Sequence, residues 1–573
     1  MLERFPNLVA MFFARAGAKG DAPFLWHKIE GRWRALSWTD AARQVAALAE
    51  AIAALGLSRG DRVMLVSENR PEWCIADLAI MAAGCVTVPA YVTNTERDHR
   101  HIVDDSGARA AIVSTPRLAR TLLPALAGSR CSRLIAIEPL EQARTGAIEV
   151  HDWAELIAGH PADVAACAAR QTAEREELAC IIYTSGTGGA PRGVRQHHGA
   201  ILHNVAGCMA IIEEDFGAGD ALFLSLLPLS HAYEHSGGQF LPIALGGQIY
   251  YAEGLEKLAA TIAEVRPTIM IVVPRLFELL RARILKTVEK EGRLPQWLLG
   301  RALALGAKPK KSIADRPLDL LLGLTIRPKI AARFGGRIKA LVSGGAPLNP
   351  EIGTFFEALG LTVLQGYGQT EAAPVISCNR PSAGLAMATV GPPLAGTEVR
   401  IAGDGEILVR GENVMHGYWR NEGETARVLV DGWLHTGDVG HIDAAGRIVI
   451  TDRKKDLIVN DKGDNIAPQR IEGLLTLQPE IAQAVVFGDR RPYLVGLIVP
   501  DPDAAGVALA GRAVALAVDR VNAGLSTTER VRRILIADEP FTIENGEMTP
   551  SLKIKRHVLR ERYGDRLDGL YKN

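Results

Sequence analysis

A chain of 573 residues is too long for one ordinary hydrophobic core and predicts at least two domains. Its 65 basic residues equal its 65 acidic ones, which removes the global charge argument for nucleic acid, and 48% hydrophobic with 23% charged residues is a globular balance. Seven cysteines, odd in number and scattered without a CxxC pair, indicate neither a zinc site nor a disulfide framework, so a reduced, cytoplasmic protein is expected.

No stretch of eighteen residues is free of polar interruption, so no transmembrane helix is predicted. The opening "MLERFPNLVAMFFARAG" lacks the apolar block and cleavage site of a signal peptide. Phe5, Leu8, Val9, Phe12 and Phe13 instead share one helical stripe, which predicts a docked helix. Residues 40–55 follow with Val45, Leu48, Ile52 and Leu55 on one face and Gly56 as a stop. Then "DRVMLVSEN" predicts a strand, "PEWCIADLAIMAAG" a helix opening on Pro71, and "CVTVPAYV" another strand. Strand, helix, strand at this spacing implies right-handed crossovers and a largely parallel sheet. The pattern returns near "IKALVSGG", "PEIGTFFEALG" and "LTVLQGYG".

Between 281 and 337 fourteen basic residues stand against four acidic ones, interleaved with "WLL" and "LDLLLGL". This region reads either as a solvated helical excursion or as a patch for peripheral contact with anionic lipid at the inner face of a membrane. Beyond 440 the sequence turns to short strands and turns, with "DRKKDLIV" as the seam before a small α+β segment.

The stretch "YTSGTGGAPRGV" (183–194) concentrates glycines and hydroxyls in twelve residues. "LACIIY" before it reads as a buried strand and "GAILHNVAGCMAII" after it as a helix, a layout in which backbone N–H groups converge on an anion. Neither the Walker P-loop spacing nor a GxGxxG fingerprint is met, so the residues alone indicate a phosphate loop of another kind.

That stretch resembles the phosphate loop of the adenylate-forming enzymes, which include acyl-CoA synthetases, luciferases and peptide-synthetase adenylation domains. Further segments similar to that family's motifs follow in order: "LPLSHAYEH" (227–235), "VSGGAPL" (342–348), "QGYGQTE" (365–371), "GWLHTGD" (432–438), "DRKKDLIV" (452–459) and "TPSLKIKR" (549–556). "VRPTIMIVVPRLFELL", the basic insertion and "FTIENGEMTPSLKIKR" look like the long-chain fatty acid–CoA ligase branch. The resemblance implies an α/β protein. A large N-terminal domain, 1–452, would layer parallel and mixed sheets with helices, and a small mobile α+β domain, 453–573, would follow a hinge.

It also implies a reaction. A carboxylate attacks the α-phosphate of ATP, giving an acyl-adenylate and pyrophosphate, and the thiol of coenzyme A then displaces AMP. The substrates implied are a fatty acid, ATP and coenzyme A, with Mg2+ as cofactor. Because two anions meet in the first step, such catalysis is mostly charge neutralisation and positioning. By resemblance Thr184, Ser185, Gly186, Thr187, Gly188 and Arg192 cradle the β- and γ-phosphates. Glu371 and Thr184 hold Mg2+, and Thr370 bonds a phosphate or carboxylate oxygen. Gly345, Ala346 and Pro347, with Gln365, Gly366, Tyr367 and Gly368, line the adenine site. Asp438 takes the ribose hydroxyls with help from Arg453. Lys553 steadies the α-phosphate and the attacking carboxylate, and Lys455 is the hinge. His231 corresponds to a gate between acyl tunnel and nucleotide, with a positioning role expected, and His235 falls where some long-chain relatives carry a tunnel gate. Two departures stand in the loop, Gly188 for a threonine and Arg192 for a lysine, and activity is expected to survive both. Alternatives are transfer of the acyl group to a carrier protein and a catalytically impaired relative that only binds nucleotide or fatty acid.

Overall fold

The computed structural model describes residues 2–140, 148–160, 162–184, 191–217, 219–308, 312–502 and 510–572. The aromatic stripe at the start folds as the helix Leu8–Lys19, with Asn7 accepting the Ala10 N–H at 2.8 Å. Phe5, Leu8, Val9, Phe12 and Phe13 are all buried, so this helix is docked rather than free. The predicted second helix spans Trp38–Ala54, capped by Ser37, and the third spans Pro71–Ala82 with proline at its first turn.

Two large sheets organise the chain up to residue 378. In one, Arg62–Val66 pairs in parallel with Val86–Ala90 and with Ala110–Val113, as the strand–helix–strand spacing predicts. Arg133–Ala136 and Glu149–Asp152 extend one edge, and Leu178–Thr184 with Arg192–His197 form the other. The second sheet has eight strands, of which the central six run parallel, from Val363–Gly368 across to Pro23–Ile29. An antiparallel strand closes each of its edges. One apolar cluster contains Val63, Leu65 and Ile182 from the first sheet, Phe223, Ile249 and Leu364 from the second, and the buried faces of the helices between them. The protein is therefore an α/β layered structure.

The phosphate-loop layout departs from the reading of strand, loop, helix. Leu178–Thr184 turns back into the strand Arg192–His197, antiparallel, with Thr184 opposite Arg192. The helix begins only at His198. "PRGVRQH" opens on a proline that has no N–H to donate, and Val194 and Gln196 are buried on the strand, so a hairpin satisfies this segment and a helix start does not. The loop is carried by a rigid β-hairpin, and the helix N-terminus lies one strand further on. Ser185, Gly186, Thr187 and Gly188 lie outside the described residues.

A five-stranded antiparallel sheet follows, with Trp433–Ile442 paired to Ile448–Arg453. The last segment holds the short hairpin Ile458–Val459 with Asn465–Ile466, a three-stranded sheet, and the helices Pro468–Leu475, Ala510–Asn522 and Arg556–Gly569. It has its own apolar clusters and meets the preceding part through a thin seam, including Arg275 to the Ala482 carbonyl at 2.9 Å and Asn349 to the Gly473 carbonyl at 3.1 Å.

Candidate active site

The C-terminal ends of the parallel strands Ala340–Ser343 and Val363–Gly368 open a crevice, the place where open α/β sheets admit ligands. Gly345 sits there with φ of +81°, a conformation that a side chain would strain. A side chain at Gly368 would run into the Pro374 carbonyl oxygen, 1.9 Å from where its Cβ would be, so glycine is required for the strand pair to close. Tyr367 projects its hydroxyl to Asp438, donating to Oδ2 at 2.8 Å. Asp438 is buried, and its other oxygen accepts from Arg453 Nε at 2.7 Å. The antiparallel register places Asp438 directly opposite Arg453, which explains why two residues fifteen apart share one ion pair.

Lys553 comes to this crevice from the C-terminal segment. Its Cε lies 3.9 Å from the position a Cβ would occupy on Gly345. The side chain is exposed to solvent, yet many protein atoms surround it. That crowding, together with the Arg453 guanidinium, pulls its pKa down to about 8 against the opposing pull of Asp438, Asp456 and Glu371.

A second chain of contacts runs from the hairpin. Arg192 donates to Glu424 Oε2 at 2.8 Å and lies 4.5 Å from the centre of the Tyr418 ring. The Tyr418 hydroxyl donates to Glu371 Oε1 at 2.8 Å. Gln196, further along the same strand, donates to the Thr370 carbonyl at 2.7 Å. Thr184, Arg192, Thr370 and Glu371 are thereby drawn to one side of the crevice. Tyr418 and Glu424 escaped the sequence reading; Tyr418 meets the hairpin through a single antiparallel bridge to Val194.

Beside the polar crevice lies a small, almost wholly apolar cavity. Val205, Cys208 and Ile212 of the helix His198–Phe216 form one wall, and Ile271, Val342 and Leu364 of the second sheet form another. Tyr233 also lines it, bonding its hydroxyl to the Val342 carbonyl at 3.0 Å, with its ring pressed against Gly344. Tyr233 donates its backbone N–H to His231 Nδ1 at 3.1 Å, so the imidazole proton sits on Nε2. Burial, aided by Lys553, lowers the His231 pKa to about 3, which keeps this ring neutral. His235 does not join the site. It is wholly buried, bonds Asp77 at 2.9 Å and packs edge-on against Trp73 and Phe240. Lys455 stands apart too, exposed in the turn after Arg453.

Two buried polar atoms beside the crevice have no partner among the described residues: Ser343 Oγ and Gln365 Oε1, facing residues of neighbouring strands. Buried polar groups are seldom left unpaired, and these two lie on paired positions of adjacent strands toward their C-terminal ends. Ser343 was not among the residues singled out from the sequence.

The layered sheets and the small C-terminal segment are the architecture of adenylate-forming enzymes. Residues 12–419 match the AMP-binding enzyme family and residues 455–573 the AMP-binding enzyme C-terminal domain, and the chain belongs to that family. A long-chain-fatty-acid–CoA ligase of Mycobacterium tuberculosis is 33% identical over 99% of this chain and 97% of its own. A mouse long-chain-fatty-acid–CoA ligase is 30% identical over 96% of this chain and 85% of its own. Among solved structures, the adenylation domain of a carboxylate reductase from Mycobacterium chelonae superposes with a TM-score of 0.81 at 21% identity, covering 99% of this chain and 91% of that one. At that identity the likeness speaks for the fold.

Proposed function

We propose that this protein is a long-chain fatty acid–CoA ligase that works through an acyl-adenylate. A carboxylate oxygen of the acid attacks the α-phosphorus of ATP, and the bond to the β-phosphate breaks to release pyrophosphate. The thiol sulfur of coenzyme A then attacks the acyl carbonyl carbon, the bond to AMP breaks, and the thiol proton is lost to solvent. The observation that carries this reading is Tyr233, one residue that lines the apolar cavity and also abuts Gly344 at the edge of the polar crevice. An acid with its chain in the cavity would present its carboxylate at that joint, beside Lys553.

In this reading the Lys553 ammonium offsets charge on the α-phosphate and the incoming carboxylate. Asp438, already oriented by Arg453 and Tyr367, accepts from the ribose hydroxyls. Gln365 and Ser343 offer their unpaired oxygens to the base and its surroundings. His231, neutral, positions the carboxylate through its Nε2–H. Arg192 meets the outer phosphates with the nitrogens that Glu424 leaves free, so the substitution for lysine keeps the charge and adds a fixed orientation.

Glu371 fits a magnesium ion. One of its oxygens is held by Tyr418, the other has no partner among the described residues, and a single hard carboxylate shared with phosphates is what Mg2+ favours. Glu371 and the Thr184 hydroxyl would hold the ion, which would neutralise the departing pyrophosphate. The unit 453–573 would turn about Lys455 after adenylation, withdrawing Lys553 and bringing 460–472 to the pantetheine path.

Coenzyme A is favoured over a carrier protein because the curated relatives named above are CoA ligases along nearly the whole chain. The test is a survey of AMP release across acids of increasing length, with coenzyme A and with a phosphopantetheinylated carrier protein. The reading expects release with coenzyme A and long acids. Release only with a carrier protein, or only with short or aromatic acids, would overturn it.

A further inference from the structure

The irregular segment 226–231 carries His231 toward Tyr233 and the cavity. It leaves the strand Leu222–Ser225 of the second sheet and enters the three-residue helix Ala232–Glu234. Within it the His231 N–H donates to the Pro228 carbonyl at 2.9 Å, which closes one turn. A single side chain from the other sheet grips the rest. Asn69 follows the strand Arg62–Val66 and precedes the helix Pro71–Ala82, so regular structure fixes its backbone on both sides. Arg70 beside it pairs with Glu72 and Glu138, at 2.8 Å each. From that base Asn69 Nδ2 donates to the Leu227 carbonyl at 2.6 Å and to the Ser225 hydroxyl at 3.1 Å, and its Oδ1 accepts the Leu229 N–H at 3.0 Å.

These bonds use both amide hydrogens and the carbonyl oxygen. They also fix the sense of the amide, since a flip would set its oxygen against the Leu227 carbonyl and its nitrogen against the Leu229 N–H. An asparagine in a turn ordinarily bonds its own backbone two residues on. Asn69 instead bonds residues 156 to 160 positions away, in another sheet and the segment leaving it. Ser225 extends the grip to the far end of the segment. Its hydroxyl donates to Glu234 Oε1 at 2.7 Å, and both side chains are buried. His231 and Tyr233 lie between Leu229 and Glu234, joined by the bond from the Tyr233 N–H to His231 Nδ1.

We propose that Asn69 is a positioning residue for the acid, acting through the segment 226–231 to hold the His231 ring where it meets the substrate carboxylate. The proposal rests on the ligase reading above. Asn69 does not line the cavity, so its effect reaches the acid through Leu227 and Leu229. A misplacement of about 1 Å at a reacting group can cost a hundredfold in rate. The residues assigned to the nucleotide, Asp438 and Arg453 among them, bond one another without this segment, so ATP binding is left alone.

The test is pyrophosphate exchange in Asn69→Ala, Asn69→Asp and Ser225→Ala with palmitate and ATP varied separately, beside direct binding of each by calorimetry. The proposal expects kcat/KM for palmitate to fall at least about tenfold in Asn69→Ala and palmitate to bind more weakly, while the dissociation constant for ATP stays within about threefold. Asn69→Asp keeps the size and the acceptor for Leu229 but sets an oxygen against the Leu227 carbonyl, so it should be impaired as Asn69→Ala is. Ser225→Ala should move the same quantities by less. Thermal melts check folding, and if the Asn69 variants do not fold, Ser225→Ala decides. Folded variants with wild-type palmitate kinetics, equal losses of palmitate and ATP binding, or an Asn69→Asp as active as wild type would overturn the proposal. A wild type that binds palmitate but exchanges no pyrophosphate would count against the ligase reading, and palmitate binding by the variants would then decide this one. A wild type that binds no palmitate would overturn both.

Discussion

Lys553 gives the account its sharpest pH dependence. In the free enzyme its pKa of about 8 means that the ammonium form, present below that value, is lost as pH rises through it. About nine-tenths of the molecules carry the charge at pH 7 and about one-tenth at pH 9, so kcat/KM for ATP in the adenylation step should fall roughly tenfold across that interval. The fall in kcat should be shallower, because bound phosphates favour the charged lysine and raise its pKa. Lys553→Arg keeps its charge throughout, so its profile should lose this limb even where its rate is lower. Lys553→Met should lose about a hundred- to a thousandfold in adenylation, the usual cost of removing one preorganised charge-stabilising group. Thioester formation from chemically made acyl-adenylate should be spared in the same variant. Pyrophosphate exchange with a saturating acid, measured from pH 7 to 9, reads the first step directly. A flat wild-type profile, or the same decline in Lys553→Arg, would refute the assignment.

Tyr418→Phe removes the bond that orients Glu371; a hydrogen bond to a charged group contributes about 1.5–3 kcal/mol to stability, so the variant should melt a little lower, and pyrophosphate exchange should show adenylation falling roughly tenfold or more. Asp438→Asn weakens the pairing with Arg453 and should raise KM for ATP more than it lowers kcat, which initial-rate kinetics separates. Cys208→Trp fills part of the apolar cavity and should move the acid-length optimum of AMP release to shorter chains. Glu234 is buried, and its pKa is raised to about 8 by that burial against the opposing hydrogen bond from Ser225. A carboxyl raised in the folded state loses stability for the protein as pH climbs from its unfolded value of about 4.3 toward 8, so Glu234→Gln should melt higher than wild type at pH 8, with the gap closing toward pH 5.

What the sequence revealed follows the range of the interactions involved. The helix Leu8–Lys19 and the helix Pro71–Ala82 were legible because periodicity, a cap and a proline are local signals. The antiparallel return at Arg192–His197 was not, because its six residues between a glycine-rich loop and a strong helix carry no period long enough to stand out. Asp438, Arg453 and Lys553 were found only through ordered motifs. Nothing near Lys553 distinguishes it from Lys555, and only the fold of the C-terminal segment carries it to Gly345. Tyr418 and Glu424 lie more than 220 residues from Arg192, and contacts at that separation leave no local trace. "WLL" and "LDLLLGL" announced apolar helices without saying which way each side chain would face, since packing alone turned Leu322 inward and Leu324 outward.

The central claim is that one crevice brings a fatty acid's carboxylate to the α-phosphorus of ATP beside Lys553. Exchange of labelled pyrophosphate into ATP, dependent on palmitate and measured without coenzyme A, tests it most directly. Exchange that requires the acid and disappears in Lys553→Met is the predicted result. A wild-type enzyme that binds ATP and palmitate yet exchanges no pyrophosphate would contradict it.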